Sequence, residues 1–289
     1  MNTIIEITNI GIGHKGNRFA QVMEGINLKI AIVTGASSGL GREYAKLLDK
    51  EDLDEIWLMA RREKLLRDLA GELVTATRNF PVDLTAESAL TQIGDSLRLE
   101  QPIVRFLINA AGLGKIGSEE DIIAADLARM IDLNCKAAVL MTHLAIPYMG
   151  EDSHIMQICS CSAFQPIPYL NVYAATKSFL LHYSRALAVE LAPKGIVVSA
   201  ICPYWIKDTE FIPIAKDTKN SAYIKCFPFA GRQAVIAEKS FAAAKKGKMV
   251  ITPDAVSTLH RMITSILPHQ WLMTASKWFH GKMAKRHHG

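Results

Sequence analysis

The stretch Ile30-Ala-Ile-Val-Thr-Gly35-Ala-Ser-Ser-Gly39-Leu-Gly41 joins an apolar, β-prone run to a turn rich in glycine and serine. Apolar positions of helical period follow it, so the stretch predicts a strand, a tight turn and a helix N-terminus. The unpaired N–H groups of such a helix end bind anions, and glycine lets a backbone approach a pyrophosphate closely. Glycine clusters also occur in purely structural turns, so this one does not decide for a nucleotide site by itself. The residues predicted to hold a dinucleotide here are Gly35, Ser37, Ser38, Gly39, Leu40 and Gly41.

Short runs rich in Ile and Val alternate with longer stretches of helical period from Lys29 onward. This alternation is typical of βαβ units around a parallel sheet, so we expect an α/β, Rossmann-like, doubly wound fold of about seven strands. The strands are predicted at residues 29–34, 55–60, 78–82, 103–109, 154–160, 196–201 and 249–251. Helices are predicted at residues 41–50, 62–73, 121–149 and 172–191, among others.

The chain of 289 residues is expected to form a single domain, residues 29–254, between two extensions. Residues 1–28 do not follow the α/β rhythm, and we expect a loosely packed extension there, or a native start at Met23. Residues 208–232 interrupt the rhythm with proline and glycine, which is typical of a substrate lid or of a surface excursion. Residues 255–289 are basic and amphipathic.

Composition and charge exclude several classes of protein. The chain is 49% hydrophobic and 21% charged, with a formal net charge of +5, which is typical of a compact globular protein. Its basic residues form no nucleic-acid-binding motif, so no nucleic-acid partner is expected. We expect a cytoplasmic protein, because no apolar run reaches the roughly 20 residues of a membrane span and no secretion signal is present. The Cys159-x-Cys161 pair lacks the further ligands of a metal site, so no metal is expected.

Tyr173 and Lys177 are four residues apart in a predicted helix, so both side chains lie on one face of it. A free tyrosine has a pKa near ~10, and a neighbouring ammonium group would lower it toward the range of useful acid and base catalysis. Chance pairs of this kind occur on solvated helix faces, so a third group is needed. Ser160 supplies it, because it ends the predicted fifth strand at the sheet edge where doubly wound folds bind ligands.

Taken together, these motifs resemble those of the short-chain dehydrogenase/reductase family in order and spacing. The matching segments are the glycine turn, Asn109-Ala-Ala-Gly112, Ser160 and Tyr173-x-x-x-Lys177. The resemblance is specific over residues 29–201 and looser to about residue 253. It implies an oxidoreductase whose catalytic residues are Ser160, Tyr173, Lys177 and Asn134. Ser162 ranks below Ser160, because its spacing to Tyr173 is two residues shorter than that of Ser160.

The cofactor implied by the resemblance is a nicotinamide dinucleotide, and the end of the second strand indicates which one. A carboxylate there would bind the ribose 2′-hydroxyl and repel a phosphate, whereas arginine binds a 2′-phosphate. The chain has Arg61 and Arg62 instead, so we expect NADP(H) rather than NAD(H). An arginine that stacks on the adenine or faces solvent is the alternative. Further implied cofactor contacts are Asp83, Leu84, Asn109, Ala110, Ala111, Gly112, Tyr173, Lys177, Pro203 and Ile206.

The sequence departs from the family after the sixth strand. Tyr204 follows Pro203 where the family usually has glycine, a version similar to hydroxysteroid and long-chain 3-oxoacyl reductases. Thr209 lies one place beyond the usual threonine, so its contact with the nicotinamide is in doubt. Aromatic residues are dense from here to Phe229, and they either line an apolar substrate pocket or anchor the lid. The predicted substrate contacts are Ser160, Tyr169, Tyr204 and Trp205.

We therefore expect a reductase or dehydrogenase that interconverts a ketone and a secondary alcohol on a lipophilic substrate. Tyr173 would move the proton, Ser160 would bond the oxygen, and Lys177 would tune the tyrosine. A nucleotide-sensing protein without catalysis is the alternative. Family members form dimers or tetramers, so a homodimer or homotetramer is expected. The segment 255–289 has two open placements, against the body or a second subunit, or on an anionic membrane surface.

Overall fold

The computed structural model describes residues 28–274, and this part of the chain contains a sheet of seven strands. The strands are β1 Lys29–Thr34, β2 Glu55–Ala60, β3 Ala76–Pro81, β4 Ile103–Asn109, β5 His154–Ile158, β6 Val197–Ile201 and β7 Val250–Ile251. All neighbouring strands are parallel, in the order β3-β2-β1-β4-β5-β6-β7. The predicted Rossmann-like, doubly wound fold is confirmed.

Helices connect the strands. The α-helices are α1 Gly39–Leu48, α2 Glu63–Ala70, α3 Glu87–Glu100, α4 Ala124–Ile131, α5 Ala138–Ala145, α6 Asn171–Leu191, α7 Phe211–Lys216, α8 Gln233–Lys245 and α9 Ala255–Ile266. They cover both faces of the sheet, so alternate side chains of a strand enter two different cores. In β1, Ala31 and Val33 pack into one hydrophobic cluster, whereas Ile30 and Ile32 pack into the other.

The order of the strands reverses at β1, which pairs with β2 on one side and with β4 on the other. Connections leaving the carboxyl ends of β1 and β4 therefore run toward opposite sides of the sheet. Such a switch point opens a crevice at the carboxyl edge, where ligands bind in doubly wound folds. The predicted site motifs follow β1, β2, β4 and β5, and all of them reach this edge.

The predicted helix over residues 121–149 is wrong as a single α-helix. Asp121 accepts hydrogen bonds from Ser118 in a turn, and helix α4 begins only at Ala124. A π-helical segment, Asp132–Ala137, separates α4 from α5, and the 3-10 turn Ile146–Tyr148 follows. Hydrophobic periodicity indicates a helical stretch, but it does not record a change from α-helical to π-helical hydrogen bonding within that stretch.

Other element boundaries also differ from the prediction. Helix α1 spans Gly39–Leu48 rather than residues 41–50, and α2 spans Glu63–Ala70 rather than residues 62–73. Strand β5 ends at Ile158 rather than at residue 160, because Ser160 caps the 3-10 turn Cys161–Phe164 through a hydrogen bond from the Ser162 N–H. Strand β3 begins two residues earlier than predicted and ends at Pro81. The remaining strands match the predicted ranges to within one residue at each end.

The segment 208–232 is largely irregular and contains the short helix α7. An isolated bridge between Ile206 and Gly231 brings its two ends together. The predicted extension 1–28 lies outside the described residues apart from its last residue, and so does the end of the predicted segment 255–289. Among residues 28–274, no helix has both the length and the apolar character that crossing a bilayer requires.

Candidate active site

A cavity of about 560 Å³ lies at the carboxyl edge of the sheet, between the segments that follow β1 and β4. Its volume falls in the range of roughly 300–1,000 Å³ that is typical of small-molecule sites. The glycine turn, the arginines after β2 and one face of helix α6 line the same cavity. Groups predicted from separate parts of the sequence therefore meet at one place.

The glycine turn is shaped by two residues in the left-handed region, Gly35 with φ 68° and Gly39 with φ 57°. A Cβ on Gly35 would lie 2.8 Å from the backbone nitrogen of Ala111, so this turn packs directly on the segment after β4. Gly41 was predicted as a cofactor contact, but it lies outside the cavity lining and allows helix α1 to pack on the Gly35 carbonyl. The turn residues that line the cavity are Gly35, Ser37, Ser38, Gly39 and Leu40.

Arg62 lies above the glycine turn. Its guanidinium group donates to both carboxylate oxygens of Glu210 in the segment 208–232, at 2.9 and 2.7 Å. The same group donates to the hydroxyl oxygens of Ser37 and Ser38, at 3.1 and 2.9 Å. The two hydroxyls and the guanidinium group therefore form a cluster of donors at the cavity edge, beside Arg61.

Asp83, after β3, lines the cavity together with Leu84. One carboxylate oxygen of Asp83 accepts from the backbone and hydroxyl of Thr85, and the other accepts from Arg129 at 2.5 Å. Burial raises the pKa of Asp83, but the bonds from Thr85 and the charge of Arg129 outweigh that rise and hold the pKa below its usual value. Asp83 is thus an anion that fixes Arg129 at the cavity wall.

Asn109 was predicted as a cofactor contact and is buried elsewhere instead. Its amide donates to the hydroxyl of Thr142 at 3.0 Å and to the carbonyl of Ala138 at 3.3 Å, which braces β4 against α5. It lies outside the cavity lining, because the last side chain of β4 turns into the protein. The next three residues, Ala110, Ala111 and Gly112, do line the cavity.

Asn134 lies in the π segment and braces the chain after β4. Its amide oxygen accepts from the Leu113 N–H, and its amide nitrogen donates to the Leu113 carbonyl, both at 2.8 Å. The nitrogen also donates to the hydroxyl of Thr176 at 3.0 Å. A Cβ on Gly112 would lie 3.3 Å from the Asn134 amide oxygen and 3.4 Å from the Lys177 nitrogen, so Asn134 is a near neighbour of that lysine.

Tyr173 is only 7% exposed on helix α6 and lines the cavity. Burial raises the pKa of its phenol well above the ordinary value, and a hydrogen bond with Ser160 offsets only part of the rise. The ring of Phe211 packs against it, with 5.3 Å between ring centroids. Burial of the side chain therefore favours the neutral phenol over the phenolate.

Lys177 was predicted to lower the pKa of Tyr173, but burial dominates and the tyrosine pKa is raised. The ammonium nitrogen lies 5.7 Å from the centre of the Tyr173 ring and donates to the carbonyl of Ile158 at 2.7 Å. Burial also lowers the pKa of Lys177. Desolvation therefore sets the direction of both pKa shifts at this site.

Ser160 and Ser162 both line the cavity. The Ser160 hydroxyl accepts from the Ser162 N–H at 3.1 Å. Its proximity to the phenol of Tyr173 lowers the pKa of that phenol, by less than burial raises it. The buried hydroxyl oxygen of Ser162 has no hydrogen-bond partner among the described residues. Ser160 and Tyr173 thus line the same cavity, as the spacing predicted, and Ser162 is an additional polar group at the cavity wall.

The cavity wall beyond Tyr173 is apolar and aromatic. Pro203, Tyr204, Trp205 and Ile206 line it, as predicted. Trp205 packs against Phe211 and contacts Phe227 edge to face, with 6.3 and 4.6 Å between ring centroids. Trp205 and Phe211 line the pocket, and the contacts of Trp205 with Phe211 and Phe227 also anchor the segment 208–232. Both interpretations that the sequence left open therefore apply to Trp205.

Tyr169 was predicted to contact the substrate, but it lies outside the cavity lining. Its ring stacks on Tyr223 with 3.8 Å between centroids, and its backbone has a left-handed φ of 65°. This stacking turns the side chain toward the segment 208–232 rather than toward Tyr173.

Several residues at the cavity were not predicted from the sequence. Arg129 comes from α4, Glu210 comes from the segment 208–232, and His260 comes from α9. The Nδ1 atom of His260 is buried without a partner among the described residues. No local motif marks these residues, because only tertiary packing brings them to the cavity.

Comparison with known proteins agrees with this geometry. The family model described as short chain dehydrogenase matches residues 29–220. The very-long-chain 3-oxoacyl-CoA reductase of Anas platyrhynchos is 34% identical over 188 residues, which cover 61% of this chain and 59% of the relative. The match therefore spans less than two thirds of that relative's length.

Two solved structures have a similar fold. A short-chain dehydrogenase from Sphingobium yanoikuyae in complex with NADPH is 26% identical with a TM-score of 0.68, covering 83% of this chain and 96% of its own. A bulky-bulky ketone specific alcohol dehydrogenase from Comamonas testosteroni is 25% identical with a TM-score of 0.66, covering 84% and 96%. Since the family model matches well over half of the chain, the chain belongs to the short-chain dehydrogenase family of oxidoreductases.

Proposed function

We propose that this chain is an NADP(H)-dependent reductase or dehydrogenase that interconverts a ketone and a secondary alcohol on a lipophilic substrate. The observation that carries the proposal is the meeting of Ser160, Tyr173 and Lys177 with the glycine turn in one cavity. The three side chains can bond and protonate a carbonyl oxygen, and the glycine turn offers helix N–H groups to a pyrophosphate. A site with both is equipped for redox chemistry beside a bound dinucleotide.

The protein's own residues are proposed to handle the oxygen and its proton. A bound nicotinamide supplies or accepts the hydride at the substrate carbon. Tyr173 donates its phenolic proton to the carbonyl oxygen during reduction, and the raised pKa keeps that proton in place at neutral pH. Ser160, hydrogen-bonded to the tyrosine, donates to the same oxygen. Lys177 holds the end of β5 beside the phenol through its bond to the Ile158 carbonyl.

The preference for NADP(H) is supported by the donor cluster at the cavity edge. The guanidinium group of Arg62 lies 3.1 Å from the Ser37 hydroxyl and 2.9 Å from the Ser38 hydroxyl, and Arg61 lines the same cavity. Arginine recognises phosphate with two parallel hydrogen bonds. The structural neighbour from Sphingobium yanoikuyae was solved with NADPH, which agrees with this preference.

The proposed substrate class rests on the apolar wall of the cavity. Trp205, Phe211, Ile214 and Ile224 surround the space beyond Tyr173, and such a wall gains free energy by burying hydrocarbon. The relatives are named for very-long-chain 3-oxoacyl-CoA and for bulky ketones. We therefore place long-chain 3-oxoacyl compounds and bulky ketones ahead of small polar ketones.

A cofactor and substrate panel tests the proposal. Oxidation of NADPH and of NADH is followed by absorbance with steroid, fatty acyl and small ketones. The expected result is faster turnover with NADPH on the bulky substrates, with both rates abolished in Tyr173→Phe. Binding of NADPH without turnover on any ketone would favour the nucleotide-sensing alternative, and faster turnover with NADH would contradict the cofactor assignment.

A homo-oligomer is proposed through the exposed faces of α4 and α6. Ile131 on α4 and both Phe179 and Val189 on α6 are large apolar side chains left exposed, as is common at subunit interfaces. Analytical ultracentrifugation of Val189→Glu tests this, with Val74→Glu as the control, because Val74 is 94% exposed on another surface. Loss of the oligomer only in Val189→Glu is expected, and a monomeric wild type would contradict the proposal.

A peripheral contact with an anionic membrane is proposed for the C-terminal segment. Leu259, Met262 and Ile266 form an exposed apolar stripe on α9, and Trp271 follows it. Residues 255–289 contain five Lys or Arg and no Asp or Glu, which complements anionic lipid. Flotation with vesicles of phosphatidylcholine, with or without phosphatidylserine, should show binding only to the anionic ones. Two results would contradict the contact: wild type binds neither kind of vesicle, or Ile266→Glu binds the anionic vesicles as well as wild type does.

A further inference from the structure

Glu210 occupies the donors on which recognition of a 2′-phosphate depends. Its two carboxylate oxygens take both arms of the Arg62 guanidinium group, at 2.9 and 2.7 Å. The hydrogen bonds from Arg62, and a smaller effect of the Ser38 side chain, hold the pKa of Glu210 below its usual value. A phosphate monoester is recognised by the same two arms of a guanidinium group.

The Glu210 carboxylate and a bound 2′-phosphate exclude one another from Arg62. A phosphate monoester carries a charge of roughly −1.5 to −2 at pH 7, and a nearby carboxylate repels it. Arg62 has no other acidic partner among the described residues than Glu210. The guanidinium group can therefore pair with both arms to Glu210 or with both arms to a phosphate, but not with both partners in this way.

We propose that Glu210 is a specificity-determining residue that competes with the 2′-phosphate of NADP(H) for Arg62. The inference rests on the proposed dinucleotide site. NADP(H) must displace Glu210 from Arg62, whereas NAD(H), which has a hydroxyl in place of the phosphate, leaves the ion pair intact. The pair therefore reduces the advantage that Arg62 gives to NADP(H) and leaves NAD(H) binding unaffected.

The position of Glu210 in the chain extends this competition toward the substrate. Glu210 directly precedes α7, whose first residue, Phe211, packs on the ring of Tyr173. Release of Glu210 from Arg62 frees the start of the segment that covers the tyrosine. Binding of the phosphate is thus linked to the aromatic wall of the substrate pocket through two adjacent residues.

The size of the effect follows from the exposure of the pair. The Arg62 and Glu210 side chains are 44% and 49% exposed, so the ion pair is only partly shielded from solvent. Exposed pairs contribute modestly, and removal of like-charge repulsion adds to the gain, so we expect Glu210→Gln to bind NADPH about threefold to tenfold more tightly. NADH binding should change less than about twofold, because no phosphate competes for the guanidinium group.

Calorimetric titration of the protein with NADPH and with NADH tests the proposal, because it measures binding without relying on turnover. The variants are Glu210→Gln, Arg62→Met and the double variant. Asp217→Asn is the matched control, since Asp217 follows the same helix α7 but pairs with Lys115 rather than with Arg62. We expect tighter NADPH binding only in Glu210→Gln, and no further effect of Glu210→Gln once Arg62 is methionine.

Three outcomes would overturn the inference. In the first, Glu210→Gln weakens NADPH binding, which would show that the carboxylate orients Arg62 for the phosphate. In the second, the substitution changes NADPH and NADH binding by the same factor. In the third, wild type binds neither dinucleotide, which would overturn the proposed function as well. Normal dinucleotide binding without ketone turnover would count against the proposed catalysis alone, because the competition would still be measurable.

Discussion

The ammonium nitrogen of Lys177 lies 2.7 Å from the carbonyl oxygen of Ile158 and donates a hydrogen bond to it. This bond ties helix α6 to the last residue of β5. Both residues are buried, so the bond offsets part of the cost of removing the ammonium group from water. Lys177 is thereby fixed beside Tyr173 by the strand that leads to Ser160.

Replacing Lys177 by methionine keeps a long side chain in the core but removes the ammonium group that bonds the Ile158 carbonyl. The variant leaves the Ile158 carbonyl without its donor, which should lower the free energy of unfolding by about 1–3 kcal/mol. Turnover should fall about 100-fold or more. Urea unfolding and steady-state kinetics measure the two effects. Lys64→Met is the control, because Lys64 is an exposed member of an i,i+4 pair. Turnover in Lys177→Met equal to wild type would contradict the role of the lysine.

The raised pKa of Tyr173 predicts different pH dependences for the two directions of the reaction. Reduction requires the protonated phenol, which burial preserves, so its rate should stay nearly constant between about pH 6 and 9. Oxidation requires the phenolate as a base, so its rate should rise with pH across the same interval. Pre-steady-state rates in both directions measure this. A reduction rate that falls as the pH rises from neutrality would show that the phenol ionises near pH 7.

Gly35→Ala should destabilise the protein and abolish cofactor binding. The alanine Cβ would lie 2.8 Å from the Ala111 nitrogen, and the backbone has a φ of 68°. A non-glycine residue in such a conformation costs about 1–3 kcal/mol. Thermal unfolding compares it with Gly150→Ala, whose Cβ would meet nothing within 4 Å. Equal stability of the two variants would contradict the close approach of the two segments.

Arg129→Leu should weaken the binding of NADPH and of NADH by the same factor. The substitution leaves Asp83 at the cavity wall without its cationic partner, and the pKa of that carboxyl should rise. We expect the Kd values for NADPH and NADH to increase together, by about threefold to tenfold. Arg62→Met should instead weaken only NADPH. Titration of both variants with both dinucleotides checks this, and a selective loss of NADPH in Arg129→Leu would contradict the assignment.

The parts of the fold and site that follow from local sequence were predicted well. The strand ranges follow from apolar runs that the sheet buries, and Gly35 and Gly39 have the positive φ values that a tight turn requires. The pairing of Ser160 with Tyr173 follows from strand and helix geometry. These features depend on neighbours in the chain, so the sequence alone carries the information.

The remaining features depend on contacts between distant segments. Glu210 lies 148 residues after Arg62 in the chain, and His260 lies on helix α9. Both line the cavity, but no sequence motif predicts their contribution to it. Tyr169 was assigned to the substrate because of its place near Tyr173, but its ring stacks on Tyr223. The pKa of Tyr173 was predicted from its charged neighbour, whereas its burial, which only the packed structure reveals, determines the direction.

The most direct test of the central claim compares wild type with Tyr173→Phe on one bulky ketone, measuring NADPH binding and turnover in the same samples. The phenylalanine keeps the ring that packs on Phe211 and removes only the hydroxyl. We predict an unchanged Kd for NADPH and a fall in turnover of roughly 100-fold to 10,000-fold, as expected when a general acid is lost. Turnover in Tyr173→Phe within a few-fold of wild type would contradict it, because the proton would then come from another group.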